Sequence, residues 1–187
     1  MKLNSALRAW AILMLAQGPL LCGAAPAART TPDGLAVFRA VLRFGCRTAH
    51  QGYYVVSDVP DSVKDEPPPS GWPSRSLWMK LAAPAPSSLR WPHLNICADR
   101  VVDGKEVDWI FVRQTAIPPR WEPFYAKFRG AKGLIRISPP AFTSDGRHAV
   151  VYLEEACDQM CASGAYLEYR RENGGWKLWR WKFAWVT

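Results

Sequence analysis

The hydrophobic pattern is clearest at the end of the chain, between Trp176 and Thr187. Trp179, Trp181, Phe183 and Trp185 occupy alternate positions, and Arg180 and Lys182 lie between them. Because side chains alternate between the two faces of a strand, this spacing predicts a strand with four aromatic residues on one face. Such a row would leave a large apolar patch in water, so we expect it to form part of the core.

The remaining pattern predicts two helices and several short strands. Thr31 and Pro32 are typical of a helix start, and Gly45 ends the apolar repeat that follows. A second, short helix is predicted from Glu122 to Gly130. Strands are predicted at 53–57, 77–81, 107–112, 134–138, 149–155 and 165–171, and Asn173-Gly174 predicts a hairpin turn into the last strand. The fold class is therefore α+β, with both helices packed on a mainly antiparallel β-meander.

Residues 1–27 have the pattern of a signal peptide. Lys2 and Arg8 precede and flank a short apolar run, and Ala25-Pro26-Ala27 fits a cleavage site. Lipidation at Cys22 is disfavoured because the bulky Leu21 precedes it, and a retained anchor is the other alternative. We expect a periplasmic or secreted protein that meets the membrane only transiently, with residues 28–187 forming one α+β domain. Proline-rich loops are predicted near 58–75 and 82–95.

The chain is basic, with a net charge of +8. Removal of residues 1–27 would leave 22 Lys and Arg against 16 Asp and Glu, a net charge of +6. This charge favours anionic surfaces. However, no run of five or six like charges is present, so the composition predicts no specific nucleic-acid partner.

Four cysteines follow the signal peptide: Cys46, Cys97, Cys157 and Cys161. An even number in an exported chain predicts two disulfides, for which we favour Cys157–Cys161 and Cys46–Cys97. A labile redox pair at Cys157 and Cys161 is an alternative, although the spacing is not Cys-x-x-Cys. A zinc site using cysteines and His50 is a further alternative, disfavoured in an oxidising compartment.

No catalytic motif is present. His50, His93 and His148 lie outside the known hydrolase signatures, and His148 is expected to be solvated. Glu154 and Glu155 alternate along a strand and cannot face each other. Glu154 is expected to balance Arg170 or Arg180 across the sheet. We therefore predict no catalytic residue, no metal ligand and no cofactor.

Several segments of the last third resemble an uncharacterised family of exported bacterial proteins. They are Glu122-Pro123-Phe124-Tyr125, Ala149-Val150-Val151-Tyr152, Cys157-x-x-x-Cys161, Gly175-Trp176-Lys177 and Trp185-Val186-Thr187. Ser138 and Phe142 also match a turn of that family. Asp158, Ala162 and Thr187 depart from its pattern. The resemblance covers residues 122–187 only and implies a β-meander and export. The family has no assigned activity, so it implies no catalytic residues.

These features favour a non-catalytic binding protein of the cell envelope. The predicted binding surface consists of Trp72, Trp78 and Trp91 near the loops, with Arg180 and Lys182 on the last strand. Its expected partner is an envelope protein or an anionic wall polymer. Two alternatives are an envelope hydrolase without a recognisable motif and a thiol–disulfide protein that uses Cys157 and Cys161.

Overall fold

The computed structural model describes residues 31–45, 52–63, 72–97 and 99–187. Within these ranges the chain forms four helices and eight strands. The helices are α1 (Pro32–Gly45), α2 (Arg75–Ala82), α3 (Gly104–Val112) and α4 (Glu122–Lys127). The strands are β1 (Tyr53–Ser57), β2 (Asn95–Ile96), β3 (Asp99–Val102), β4 (Ala131–Ile137), β5 (Ala141–Phe142), β6 (His148–Asp158), β7 (Cys161–Glu172) and β8 (Gly175–Val186). The α+β class is confirmed.

All the described strands belong to one sheet with the order β2-β3-β1-β4-β6-β7-β8, and β5 pairs with β6. The part from β4 to β8 is antiparallel, as the meander prediction requires. By contrast, β1 runs parallel to both β3 and β4. The sheet is therefore mixed, and β8 lies at one edge with one side unpaired in the described part of the chain.

The two strongest local signals are confirmed. The side-chain oxygen of Thr31 accepts a hydrogen bond from the Gly34 amide at 3.0 Å and begins α1. Asn173 and Gly174 both have positive φ angles, 49° and 75°, as a two-residue hairpin turn requires. The apolar side of α1 packs on one face of the sheet, where Phe38 stacks on Trp91. We call this the α1 face, and the opposite side the far face.

Two predicted strands are helices instead, because short apolar runs fit either periodicity. The run 77–81 lies in α2, where the Ser74 hydroxyl accepts a hydrogen bond from the Leu77 amide and Leu77 and Leu81 are buried one turn apart. The run 107–112 lies in α3, and Asp103 is the N-cap residue of this helix. Its carboxylate accepts a hydrogen bond from the Lys105 amide at 2.9 Å.

Described residues of both proline-rich loops pack into the fold. Asp58 is buried, and its carboxylate accepts hydrogen bonds from the Gly104 amide at 2.8 Å and pairs with His93 Nε2 at 3.2 Å. Val63 is buried against α2, and Trp91 in the second loop is fully buried. The described parts of these loops therefore contribute to the core as well as to the surface.

The prediction that Trp179, Trp181, Phe183 and Trp185 form a buried row is wrong. Two register shifts leave Trp179 and Ala184 as extra residues in β8, opposite no residue of β7. Each such bulge reverses the alternation of side chains. Leu178, Trp181 and Phe183 consequently lie on the α1 face, opposite Tyr169, Leu167 and Ala165. Trp185 lies on the far face, where its Nε1 donates to the Tyr152 hydroxyl at 2.8 Å.

Candidate functional site

A cleft opens between the end of α1 and the α1 face of the sheet. Its apolar walls are Val41 and Leu42 of α1 and five residues of the central strands: Ile135, Ile137, Leu153, Ala165 and Leu167. Phe44, Trp181 and Phe183 also line it, and its volume is about 250 Å³. We call it the aromatic cleft. The last turn of α1 supplies one wall, and Trp181 and Phe183 of the edge strand β8 remain half exposed at its side.

The aromatic residues of the cleft are accessible to solvent. Trp181 is 51% exposed and Phe183 is 49% exposed, and Phe44 is also exposed. The rings of Trp181 and Phe183 meet edge to face with their centroids 4.9 Å apart. Large exposed aromatic side chains next to a buried apolar surface are typical of a binding site.

A group of polar residues closes another part of the cleft: Tyr54 of β1, Asp99 of β3 and Glu155 of β6. The Tyr54 hydroxyl donates to Glu155 Oε1 at 2.5 Å, and the Tyr54 amide donates to Asp99 Oδ1 at 2.9 Å. Burial raises the pKa of Tyr54, and the hydrogen bond to Glu155 raises it further. Tyr54 therefore keeps its proton at neutral pH and donates a hydrogen bond to Glu155.

Asp99 is nearly fully buried. Burial raises the pKa of its carboxyl group, although the hydrogen bond from the Tyr54 amide and the charge of Lys132 oppose this shift. The cleft thus combines apolar walls with an acidic, hydrogen-bonded group. Such a combination can fix the position and direction of a bound molecule.

Four of the five residues predicted to form a binding surface lie close together in the structure. They lie on the far face of the sheet, opposite the aromatic cleft. Trp72 Nε1 donates to Glu168 Oε2 at 2.8 Å, and Arg180 Nε donates to the same oxygen at 2.5 Å. Arg180 also lies over the ring of Trp72. Lys182 pairs with Tyr166 in the register, and the half-buried Trp78 packs against the same cluster. Trp72 and Arg180 therefore satisfy a buried carboxylate, which is a structural role.

For Trp91, the fifth residue, the prediction of an exposed binding role is wrong. It is 1% exposed, stacks on Phe38 with centroids 4.3 Å apart, and donates from Nε1 to the Ile137 carbonyl at 3.1 Å. It is part of the core and cannot contact a partner. The preceding loop carries it inward, which a loop composition rich in proline does not reveal.

Glu168 corrects two further predictions. Arg180 pairs with Glu168 and not with Glu154, whose neighbours across the sheet are Arg136 and Gly164. His148 is not simply solvated, because its Nδ1 lies 2.8 Å from Glu168 Oε1. Burial alone would raise the pKa of Glu168, but the hydrogen bonds from Arg180, His148 and Trp72 together lower it.

Of the two predicted disulfides, the structure describes both cysteines of one and a single cysteine of the other. Cys157 and Cys161 form the local disulfide that was predicted, with Cα atoms 5.2 Å apart across the β6–β7 turn. Cys97 is disulfide-bonded, whereas Cys46 and His50 lie outside the described residues. The Cys46–Cys97 pairing therefore stays a prediction. So does the signal peptide, because residues 1–27 lie outside the described ranges.

The described residues contain no group of three or more His, Cys, Asp or Glu arranged to hold a metal ion. Among the helices in the described ranges, none is both long and apolar enough to cross a membrane. No protein-family model, curated protein or solved structure matches the chain. The resemblance over residues 122–187 consequently stays an expectation.

Sequence reasoning missed the residues of the aromatic cleft other than Trp181 and Phe183, which it assigned to the core. Tyr54, Asp99 and Glu155 come from three strands and are up to 101 residues apart in sequence. No motif spacing links them. One feature of the sequence does point to the cleft. The terminal strand is long and rich in aromatic residues, which is unusual for an edge strand that binds nothing.

Proposed function

We propose that this protein is a non-catalytic binding protein that holds an apolar group of its ligand in the aromatic cleft. One observation carries the proposal: the half-exposed Trp181 and Phe183 line a cavity whose walls are mostly apolar. Soluble domains seldom leave such side chains in water without a use. Export to the cell envelope, predicted from residues 1–27, would place the protein where it meets amphiphilic molecules.

The cleft supports a small ligand better than the large partners expected from the sequence. In the surface predicted to bind a wall polymer or envelope protein, Trp91 is buried in the core and Arg180 is paired with Glu168. The aromatic cleft, in contrast, has a volume of about 250 Å³ and a polar group on one wall. These dimensions suit an alkyl chain or a ring carried by a small amphiphile.

The test is a calorimetric titration of the protein with dodecyl maltoside below its critical micelle concentration. We expect Trp181→Ala to weaken binding by about tenfold, which corresponds to about 1.4 kcal/mol. Trp109→Ala is the matched control, because Trp109 is an exposed tryptophan on α3 that does not line the cleft. Equal affinity of the wild type and Trp181→Ala would contradict the proposal.

Asp99 supports a second candidate function, the envelope hydrolase. A buried carboxyl group with a raised pKa next to a cleft is typical of general acids and bases. The test is turnover of p-nitrophenyl esters of increasing chain length by the wild type and by Asp99→Asn. Turnover that depends on Asp99 would favour the hydrolase over the binding protein.

A further inference from the structure

A second cavity, of about 610 Å³, lies beside the aromatic cleft, and Phe44 lines both. It is bounded by α1 and by the hairpin between β7 and β8. Four basic residues line it: Arg39, Arg43, Arg171 and Lys177. Asp33 is the acidic residue of the lining. We call this the basic cavity.

The positive charge of the basic cavity is only partly neutralised. Arg171 forms an ion pair with Asp33, and Lys177 pairs with Glu172 at 3.3 Å. Arg39 and Arg43 make no ion pair or hydrogen bond with the residues that the structure describes. They lie one turn apart on α1, where two like charges repel each other. An anion bound between them would relieve this repulsion.

Tyr169 gives an independent indication of a polar ligand. It lines the basic cavity and is 1% exposed, and its buried hydroxyl has no hydrogen-bond partner within the described ranges. A buried donor left unpaired destabilises the folded protein, and a ligand that accepts its hydrogen bond removes that cost. Burial raises the pKa of Tyr169, so the hydroxyl keeps its proton and can donate it. Tyrosine hydroxyls and arginines together are suited to oxyanions.

We propose that the basic cavity binds the anionic head group of an amphiphile whose apolar part lies in the aromatic cleft. This inference rests on the proposed function of the cleft. The head group is a phosphate, sulfate or carboxylate, which Arg39 and Arg43 bind as bidentate donors.

The two sites are neighbours along three elements. Phe44 borders both, Tyr169 and Leu167 are alternate residues of β7, and Leu178 and Trp181 of β8 lie in the cavity and the cleft respectively. Three residues of a strand span about 10 Å, which a short alkyl chain bridges.

The acidic residues set the direction of the ligand. Asp99 and Glu155 line the cleft, whereas the four basic residues line the other cavity. An anionic head group is repelled by the carboxylates and attracted by the arginines. The tail therefore lies toward Tyr54 and the head lies toward Arg39.

The experiment compares three amphiphiles with the same tail, each below its critical micelle concentration: dodecyl phosphate, dodecyl maltoside and dodecyltrimethylammonium. We expect the wild type to bind dodecyl phosphate about tenfold more tightly than dodecyl maltoside and to bind the cation most weakly. Arg39→Gln/Arg43→Gln should bind the maltoside unchanged and lose the preference for phosphate. Inorganic phosphate should compete only with dodecyl phosphate, and this separates a free anion from a head group.

Arg75→Gln/Arg120→Gln is the matched control, because it removes two exposed arginines that line neither cavity. It should keep the preference for dodecyl phosphate. Equal affinity of the wild type for phosphate and maltoside, or a preference that survives Arg39→Gln/Arg43→Gln, would overturn the inference and leave the proposed function standing. Failure of all three amphiphiles to bind would overturn both.

Discussion

Trp181 lies opposite Leu167 across the β7–β8 pair and shares the α1 face with it, yet the two differ completely in burial. Leu167 is 2% exposed and Trp181 is 51% exposed. The difference follows from the places of the two strands, because β7 is paired with a strand on each side whereas β8 is the edge strand. A tryptophan in this position contributes little to the core and leaves half of its surface accessible to solvent.

The first prediction concerns the stability of tryptophan variants. Trp91→Ala should lower the free energy of unfolding by about 3–5 kcal/mol, because it removes a fully buried ring and leaves a cavity. Trp181→Ala should lower it by less than about 1.5 kcal/mol, because half of its surface is already in water. Urea unfolding of both variants provides the measurement. Equal losses would mean that Trp181 is a core residue after all.

The second prediction concerns the pH dependence that Glu168 introduces. Its pKa is lowered from 4.5 in the folded protein, so its carboxylate stabilises the fold above that value. The stabilisation is lost as the pH falls through the lowered pKa. The wild type should be more stable than Glu168→Gln by about 2 kcal/mol at pH 7.

The measurement is denaturant unfolding of both proteins between pH 7 and pH 2. The difference between them should shrink as the pH falls below 4.5. A difference that stays constant over this range would show that the charge of Glu168 does not stabilise the fold. The same variant should leave ligand binding unchanged, because Glu168 lies on the far face.

The third prediction tests the position that the second bulge gives to Trp185. A Cβ on Gly164 would lie 2.3 Å from the Tyr152 hydroxyl and 2.4 Å from Trp185 Nε1. Gly164→Ala should therefore separate these two side chains and destabilise the protein by about 1–3 kcal/mol. Gly175→Ala is the control, since its nearest neighbour would be 3.8 Å away. Thermal unfolding that finds Gly164→Ala as stable as the control would place Trp185 elsewhere.

The elements that the sequence predicts correctly depend on local interactions. Thr31 begins α1 by bonding to an amide three residues later, and Asn173-Gly174 adopts the turn that its own backbone preferences favour. The antiparallel meander of the last third follows from such short connections. The prediction of a strand at 77–81 is wrong because five residues are too few to distinguish the period of a helix from that of a strand.

The site could not be predicted because its determinants are not local. The bulges at Trp179 and Ala184 are register shifts between two strands, and a pattern within one strand cannot reveal them. The parallel pairing of β1 with β3 and β4 brings Tyr54 to Asp99, 45 residues away. Arg39 and Arg43 lie four residues apart in the sequence, but only the fold brings them beside Arg171.

The most direct test of the aromatic cleft as the ligand site is an NMR titration. The indole N–H signals of the tryptophans in ¹H–¹⁵N spectra are its observable. Dodecyl maltoside is added below its critical micelle concentration to the ¹⁵N-labelled protein. The signal of Trp181, assigned from its absence in Trp181→Phe, should shift with the occupancy of the site. The signals of Trp109 on α3 and Trp72 on the far face should not move. Saturable binding with an unmoved Trp181 signal would contradict the account.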